Sequence, residues 1–152
     1  IIRHYFCGFL YPYQESFQRT FLGQDKMRIG KHFEFEASHQ LPWHKGKCKR
    51  LHGHSYKLTV VVEGEINNEG MVLDFDILKS VVKETVIDKY DHQHLNDFFE
   101  NPTAENVAQR FFEDIDKKLR EVTNNSVRIV RLVLYETGNS FAEVVGGNDS
   151  KK

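Results

Sequence analysis

From His32 the chain alternates polar and apolar positions, with Phe33, Phe35, Ala37 and His39 on one side and His32, Glu34, Glu36 and Ser38 on the other. A period of two belongs to a half-buried strand, so this stretch predicts a strand whose inward face ends in a histidine. "HSYKLTVVVEGEI" alternates again and predicts a second, longer strand, closed by the turn residues Asn67, Asn68 and Gly70. "MVLDF" predicts a short third strand. The period then becomes helical. Asp74 stands as N-cap for a helix over about residues 75 to 90, with Phe75, Leu78, Val82 and Val86 on its apolar stripe. Thr103 is the next N-cap, Glu105 suits the positive end of the helix dipole, and Ala108, Phe111, Phe112, Ile115, Leu119 and Val122 mark a second amphipathic helix.

The turn "TNNS" ends that helix, and "SVRIVRLVLYET" predicts a strong strand. Simple alternation puts Val130, Leu132, Leu134 and Glu136 on one face and Ile129, Arg131, Val133 and Tyr135 on the other. "SFAEVV" predicts a last strand before the polar tail. The fold class these elements imply is α+β, a four-stranded antiparallel sheet with two helices on one face.

Residues 1–26, rich in aromatics and Gln without a clear period, read as a leader or extension, and 27–152 as one domain with a short polar tail. Twenty-one Lys and Arg against 22 Asp and Glu leave a formal charge of -1, so no global field recruits nucleic acid or an anionic membrane. Only Cys7 and Cys48 occur, a poor start for a disulfide framework and a better fit to a reducing compartment. No apolar run approaches the roughly 18 residues of a membrane span. The expectation is a soluble, cytoplasmic protein.

The chemistry concentrates in "CKRLHGHSY". His52 and His54, two apart on an extended segment, leave the same face, and His39 arrives on the inward face of the preceding strand. Three nitrogen ligands with a vacant fourth position make up a catalytic zinc site, because the open position is where an oxygen is polarised. Spacing alone leaves two other readings open: Cys48 as a fourth ligand closing a structural site, or three histidines hydrogen-bonded in the core. His44 and His94 are further potential ligands. Lys47, Lys49 and Arg50 surround Cys48 with positive charge, which favours a thiolate and is equally suited to receiving phosphates. In "YDHQHLND", Asp91 next to His92 has the makings of an acid/base couple. Glu136 closes an apolar stripe, and a carboxylate there needs a donor partner; a planar heterocycle with two adjacent N–H groups would supply one.

Taken together and in order, "FEASHQL", "KCKRLHGHSY", "GMVLDF", "DHQHLND", "NPTAENVA" and "YET" resemble the 6-pyruvoyl-tetrahydropterin synthase family over about residues 31 to 145. "CKRLHGH" with "MVLDF" looks more like the 6-carboxy-tetrahydropterin synthase branch of queuosine biosynthesis than the animal enzyme, whose loop between the cysteine and the histidine pair is longer. The resemblance implies a tunnelling fold: subunits close into a trimeric barrel and two trimers stack as a homohexamer, with active sites at subunit interfaces. It implies Zn2+ on His39, His52 and His54, Cys48 as catalytic base off the metal, and Asp91 with His92 as a relay. Glu136 would anchor the pterin ring, and Thr103 and Glu105 would line its pocket. The implied reaction converts 7,8-dihydroneopterin triphosphate to 6-carboxytetrahydropterin, acetaldehyde and triphosphate. The alternatives are the pyruvoyl product, an aldolase-like relative that only cleaves the side chain, and a non-catalytic zinc- or pterin-binding module.

Overall fold

The frame is a long hairpin in which β1 (Met27–His39) pairs antiparallel with β2 (His52–Gly64) from Met27↔Gly64 to His39↔His52. The computed structural model describes residues 26 to 147; the expected leader, except for Lys26, and Cys7 lie outside the described residues. Directly opposed residues share a face. The inward ladder therefore runs Phe33–Leu58, Phe35–Tyr56, Ala37–His54 and His39–His52, which passes without a break from core to imidazole. Phe35 stacks on Tyr56 with ring centroids 5.0 Å apart, so the histidines stand on an aromatic floor.

One helical run continues from α1 (Phe75–Val82) through a π-helical turn, Lys83–Ile87, into α2 (Asp88–Tyr90), and the long helix α3 is Ala104–Val122. Both predicted caps form: Asp74 accepts from Asp76 N and Thr103 from Asn106 N. Leu78, Val82 and Val86 of the first run, with Phe111, Ile115 and Leu119 of α3, are fully buried against the sheet. Truncating Phe111 to Ala would cost about 3–5 kcal/mol. Phe75 and Val122, expected on the apolar stripes, are exposed instead; they are the first residue of α1 and the last of α3. Lys31 places its ammonium 5.6 Å from the Phe75 ring.

The sheet has five strands rather than four, in the order β3–β1–β2–β4–β5, and is mixed. β3 (Gln93–His94) is too short to show a period and runs parallel to β1 through Ala37↔Gln93 and Ser38↔His94. "MVLDF" is not a strand. Both edges of β2 are taken, by β1 and β4, so this segment instead drops Val72 and Leu73 into the core and delivers Asp74 as a cap. β4 (Val127–Thr137) and β5 (Ser140–Val145) are as expected in place, but β4 departs from simple alternation. Val61 pairs with Arg131 and Val62 with Ile129, which leaves Val130 in a bulge. The extra residue reverses the parity: Ile129 and Val127 join Leu132 and Leu134 in the main core cluster, whereas Val130, though buried, stands outside it. A second irregularity, between Tyr135 and Thr137, leaves Glu136 without a β5 partner.

Candidate metal centre

The three histidines meet where β1 ends and β2 begins, and their ligand nitrogens lie within 4.8 Å of one another. His39 is fully buried and the other two partly so. The hydrogen bonds fix the tautomers. His39 Nδ1 donates to Pro102 O at 2.8 Å and His52 Nδ1 to Arg50 O at 2.7 Å, so in the neutral rings both Nε2 atoms carry bare lone pairs. Those two atoms face each other at 3.1 Å. His54 Nε2 is buried without a hydrogen-bond partner. Glu136 Oε1 is 3.3 Å from His39 Nε2 and 3.8 Å from His54 Nε2. Burial is the main cause that holds His39 and His54 below the usual histidine pKa and keeps them neutral ligands.

Electron pairs brought this close repel unless a cation lies between them, and the donor set suits one. Three neutral imidazoles, each with its other nitrogen or its ring face fixed, fit a divalent ion of borderline softness such as Zn2+. The outer partners of His39 and His52 are both backbone carbonyls, Pro102 O and Arg50 O, which no side-chain motif announces. Tyr56, two residues after His54 and so on the same face, puts its hydroxyl 3.4 Å from His39 Nδ1; burial raises its pKa.

The bulge in β4 aims Glu136 into a cleft of about 310 Å³ that it shares with Leu41, Thr103, Glu105 and Ser140. Thr103 Oγ1 is engaged as the cap of α3, accepting from Asn106 N at 3.2 Å. Asp91 and His92 pair with each other, Oδ1 to Nδ1 at 3.0 Å. Asp91 also accepts from Glu36 N at 2.9 Å, the main cause of a pKa below the usual carboxylate value. His92 has a φ of 59°, uncommon for a residue with a side chain, and it lines a cleft of about 360 Å³ together with His54. Cys48 lies in a one-turn 3₁₀ helix, Lys47–Lys49, partly buried, and is not in the three-imidazole group. His44 accepts from Gly46 N, and His94 bonds Ser38 Oγ at 3.2 Å; neither joins the group. A larger cavity, about 780 Å³, is at the opposite end of the sheet around Glu63 and Asn67; donor chemistry, not size, locates the site.

Fold and site together define a class: an α+β protein whose sheet presents three histidines that could hold a metal ion, beside a carboxylate in an open cleft. The chain belongs to the 6-pyruvoyl tetrahydropterin synthase family, whose profile matches residues 28–147. It is 43% identical over 96 residues to 6-carboxy-5,6,7,8-tetrahydropterin synthase of Synechocystis sp., covering 59% of this chain and 74% of that one. It is 42% identical over 116 residues to dihydroneopterin monophosphate aldolase of Pyrococcus furiosus, covering 76% and 94%. Among solved structures, 6-pyruvoyl tetrahydropterin synthase of Caenorhabditis elegans superposes with a TM-score of 0.68 at 28% identity, covering 80% of this chain and 96% of that one. Among the described residues no helix is long and apolar enough to cross a membrane.

Proposed function

We propose that this protein is a zinc-dependent 6-carboxy-5,6,7,8-tetrahydropterin synthase, a lyase that takes 7,8-dihydroneopterin triphosphate and water to 6-carboxytetrahydropterin, acetaldehyde and triphosphate. The observation that carries the reading is the meeting of three imidazoles, two with bare Nε2 atoms 3.1 Å apart, with a carboxylate 3.3 Å from one of them at the mouth of a cleft. Bound there by His39, His52 and His54, zinc supplies Lewis acidity toward side-chain oxygens of the substrate.

The other residues take the remaining roles. Glu136 accepts hydrogen bonds from neighbouring N–H groups of the pterin ring and fixes its orientation, while Thr103 and Glu105 wall the same cleft. Cys48 moves a proton at the substrate side chain, helped by the cations on either side of it. Asp91, ionised and tied to Glu36 N, holds His92 as its acid/base partner. Lys47, Lys49 and Arg50 receive phosphates. The working form is a cytoplasmic homohexamer built as a dimer of trimers, with neither nucleic acid nor membrane as partner.

A second reading comes from the 42% identity to the Pyrococcus aldolase. Incubation of the zinc-loaded chain with dihydroneopterin triphosphate under reducing conditions, followed by mass analysis, separates the outcomes. Acetaldehyde with triphosphate supports the carboxy reaction. Triphosphate without acetaldehyde assigns the pyruvoyl reaction instead, and a phosphorylated two-carbon aldehyde assigns the aldolase.

A further inference from the structure

The residue that follows His39 is held by an unusual clamp. Asn96 accepts from Gln40 N through Oδ1 and donates to Gln40 O through Nδ2, both at 2.9 Å. A single side chain thus satisfies both backbone groups of Gln40, as a neighbouring strand would. The clamp is the last of a series along the same edge of β1. Glu36 N donates to Asp91 Oδ1 at 2.9 Å and Glu36 O accepts from His92 N at 2.6 Å; Ser38 is bridged by His94. Glu36, Ser38 and Gln40 alternate with Ala37 and His39, so every outward bond fixes the pitch of an inward side chain.

Beyond Gln40 the chain turns into the loop that carries Cys48, and Leu41 N donates to Cys48 O at 2.8 Å. Gln40 is therefore the hinge between the most buried histidine and the loop cysteine. Without its clamp, the end of β1 keeps its β2 neighbour at His39↔His52, the His39 Nδ1 bond to Pro102 O and the Leu41 N bond to Cys48 O, but, among the described residues, no hydrogen bond on its outer edge beyond Ser38.

We propose that Asn96 is a positioning residue for the metal centre: its two hydrogen bonds to the Gln40 backbone set the direction of His39 and hence the affinity of the three-histidine site for a divalent ion. The inference rests on the metal-binding reading of the three histidines and is independent of which pterin product is formed. Asn96 touches neither metal nor substrate in this scheme and acts only through Gln40.

Asn67 provides a matched control. Its Oδ1 accepts from Glu69 N and Met71 N, so its truncation also removes two side-chain-to-backbone hydrogen bonds, at the far end of the sheet. The test uses the full chain with Asn96→Ala or Asn67→Ala, Zn2+ affinity read by competition with a chromophoric chelator, and the visible absorption of the Co2+ form. The expected result is Zn2+ binding roughly tenfold weaker in Asn96→Ala, the order of loss found when an outer partner of a metal ligand is removed. Its Co2+ spectrum should change, and the Asn67→Ala protein should match wild type in both readings even where its melting temperature falls. Should Asn96→Ala not fold, Asn96→Asp keeps the acceptor for Gln40 N, loses the donor to Gln40 O, and is read by the same comparison. Equal Zn2+ affinity and an unchanged Co2+ spectrum in the folded Asn96 variant overturn the inference and leave Asn96 a structural clamp. Failure of the wild type itself to bind Zn2+ or Co2+ overturns the metal-binding reading beneath it.

Discussion

The two ends of the sheet bury polar groups in opposite ways. At the end away from the histidines, Glu63 is buried yet fully answered: Arg28 Nε reaches it at 2.9 Å and Arg128 at 3.0 Å, and the Arg28 bond leads the causes that hold its pKa below the usual value. The chain supplies both signs of charge there, and the result is a clamp across β1, β2 and β4. At the other end, His39, His52, His54 and Glu136 bring together only lone pairs and a carboxylate. Pro102 O and Arg50 O, acceptors themselves, take the N–H protons of the outer nitrogens and so leave the inner ones bare. A buried charge that is paired internally is structure; a buried set of donors that share one sign is a request for an external cation.

The largest effect should come from removing one of those donors. His52→Ala is expected to abolish stoichiometric zinc binding, a loss greater than the roughly 10–100-fold typical of losing an outer partner, and turnover should fall with it. Metal analysis after dialysis checks the first point and product formation the second; full zinc retention would break the contrast between the two ends. Cys48→Ala comes next. If Cys48 moves the proton from outside the three-imidazole set, as proposed, its loss should lower kcat by about 10²–10⁴ with zinc content intact. Loss of zinc with the thiol would instead make Cys48 a ligand.

How much of this contrast the sequence reveals depends on locality. Alternation places His39 inward with Phe35 and Ala37, and the two-residue step from His52 to His54 places both on one face, because the strand period is a local property. The caps Asp74 and Thr103 are legible for the same reason. The bulge at Val130 is not, since Ile129 and Val130 are both apolar and the sequence does not say which of them faces inward, and the inward-facing residues of β4 before it shift by one. Nor is β3, whose two residues are strand only because Glu36 and Ser38 present open backbone groups to them. The outer partners of the histidines are backbone carbonyls or, for Gln40, an asparagine 56 positions away; residue type carries no trace of such pairings. Glu63 is the reverse case, an unremarked strand glutamate that becomes buried only when Arg28 and Arg128 close over it.

Glu136 sharpens the comparison from inside the site. If its carboxylate serves the substrate ring, Glu136→Gln replaces one acceptor oxygen with a donor facing ring N–H groups. A hydrogen bond to a charged group contributes about 1.5–3 kcal/mol, so the dissociation constant for a non-reacting pterin should rise roughly 10- to 100-fold. Zinc content should stay at the wild-type level, because Glu136 is not one of the three clustered donors. Titration by fluorescence or calorimetry measures the affinity; an unchanged value with intact zinc would mean that the bulge aims Glu136 at the histidines alone.

The smallest effect belongs to the far end and is a stability effect only. Glu63→Gln leaves Arg128, itself largely buried, facing a neutral amide, while the more exposed Arg28 loses little because solvent screens it. The expected cost is about 1–3 kcal/mol, or a melting temperature lower by roughly 3–10 °C, with zinc affinity and kcat unchanged. The sign of its pH dependence follows from the lowered pKa. In the unfolded chain Glu63 takes up its proton at a higher pH than in the folded one, so its contribution is complete above the ordinary carboxylate range, about pH 4–5, and is lost as the pH falls through the folded value. Thermal melts of wild type and variant should accordingly differ most near neutrality and converge in acid. A gap that persists in acid would show that the carboxylate acts there through packing rather than charge, and the two ends would then differ in shape rather than in electrostatics.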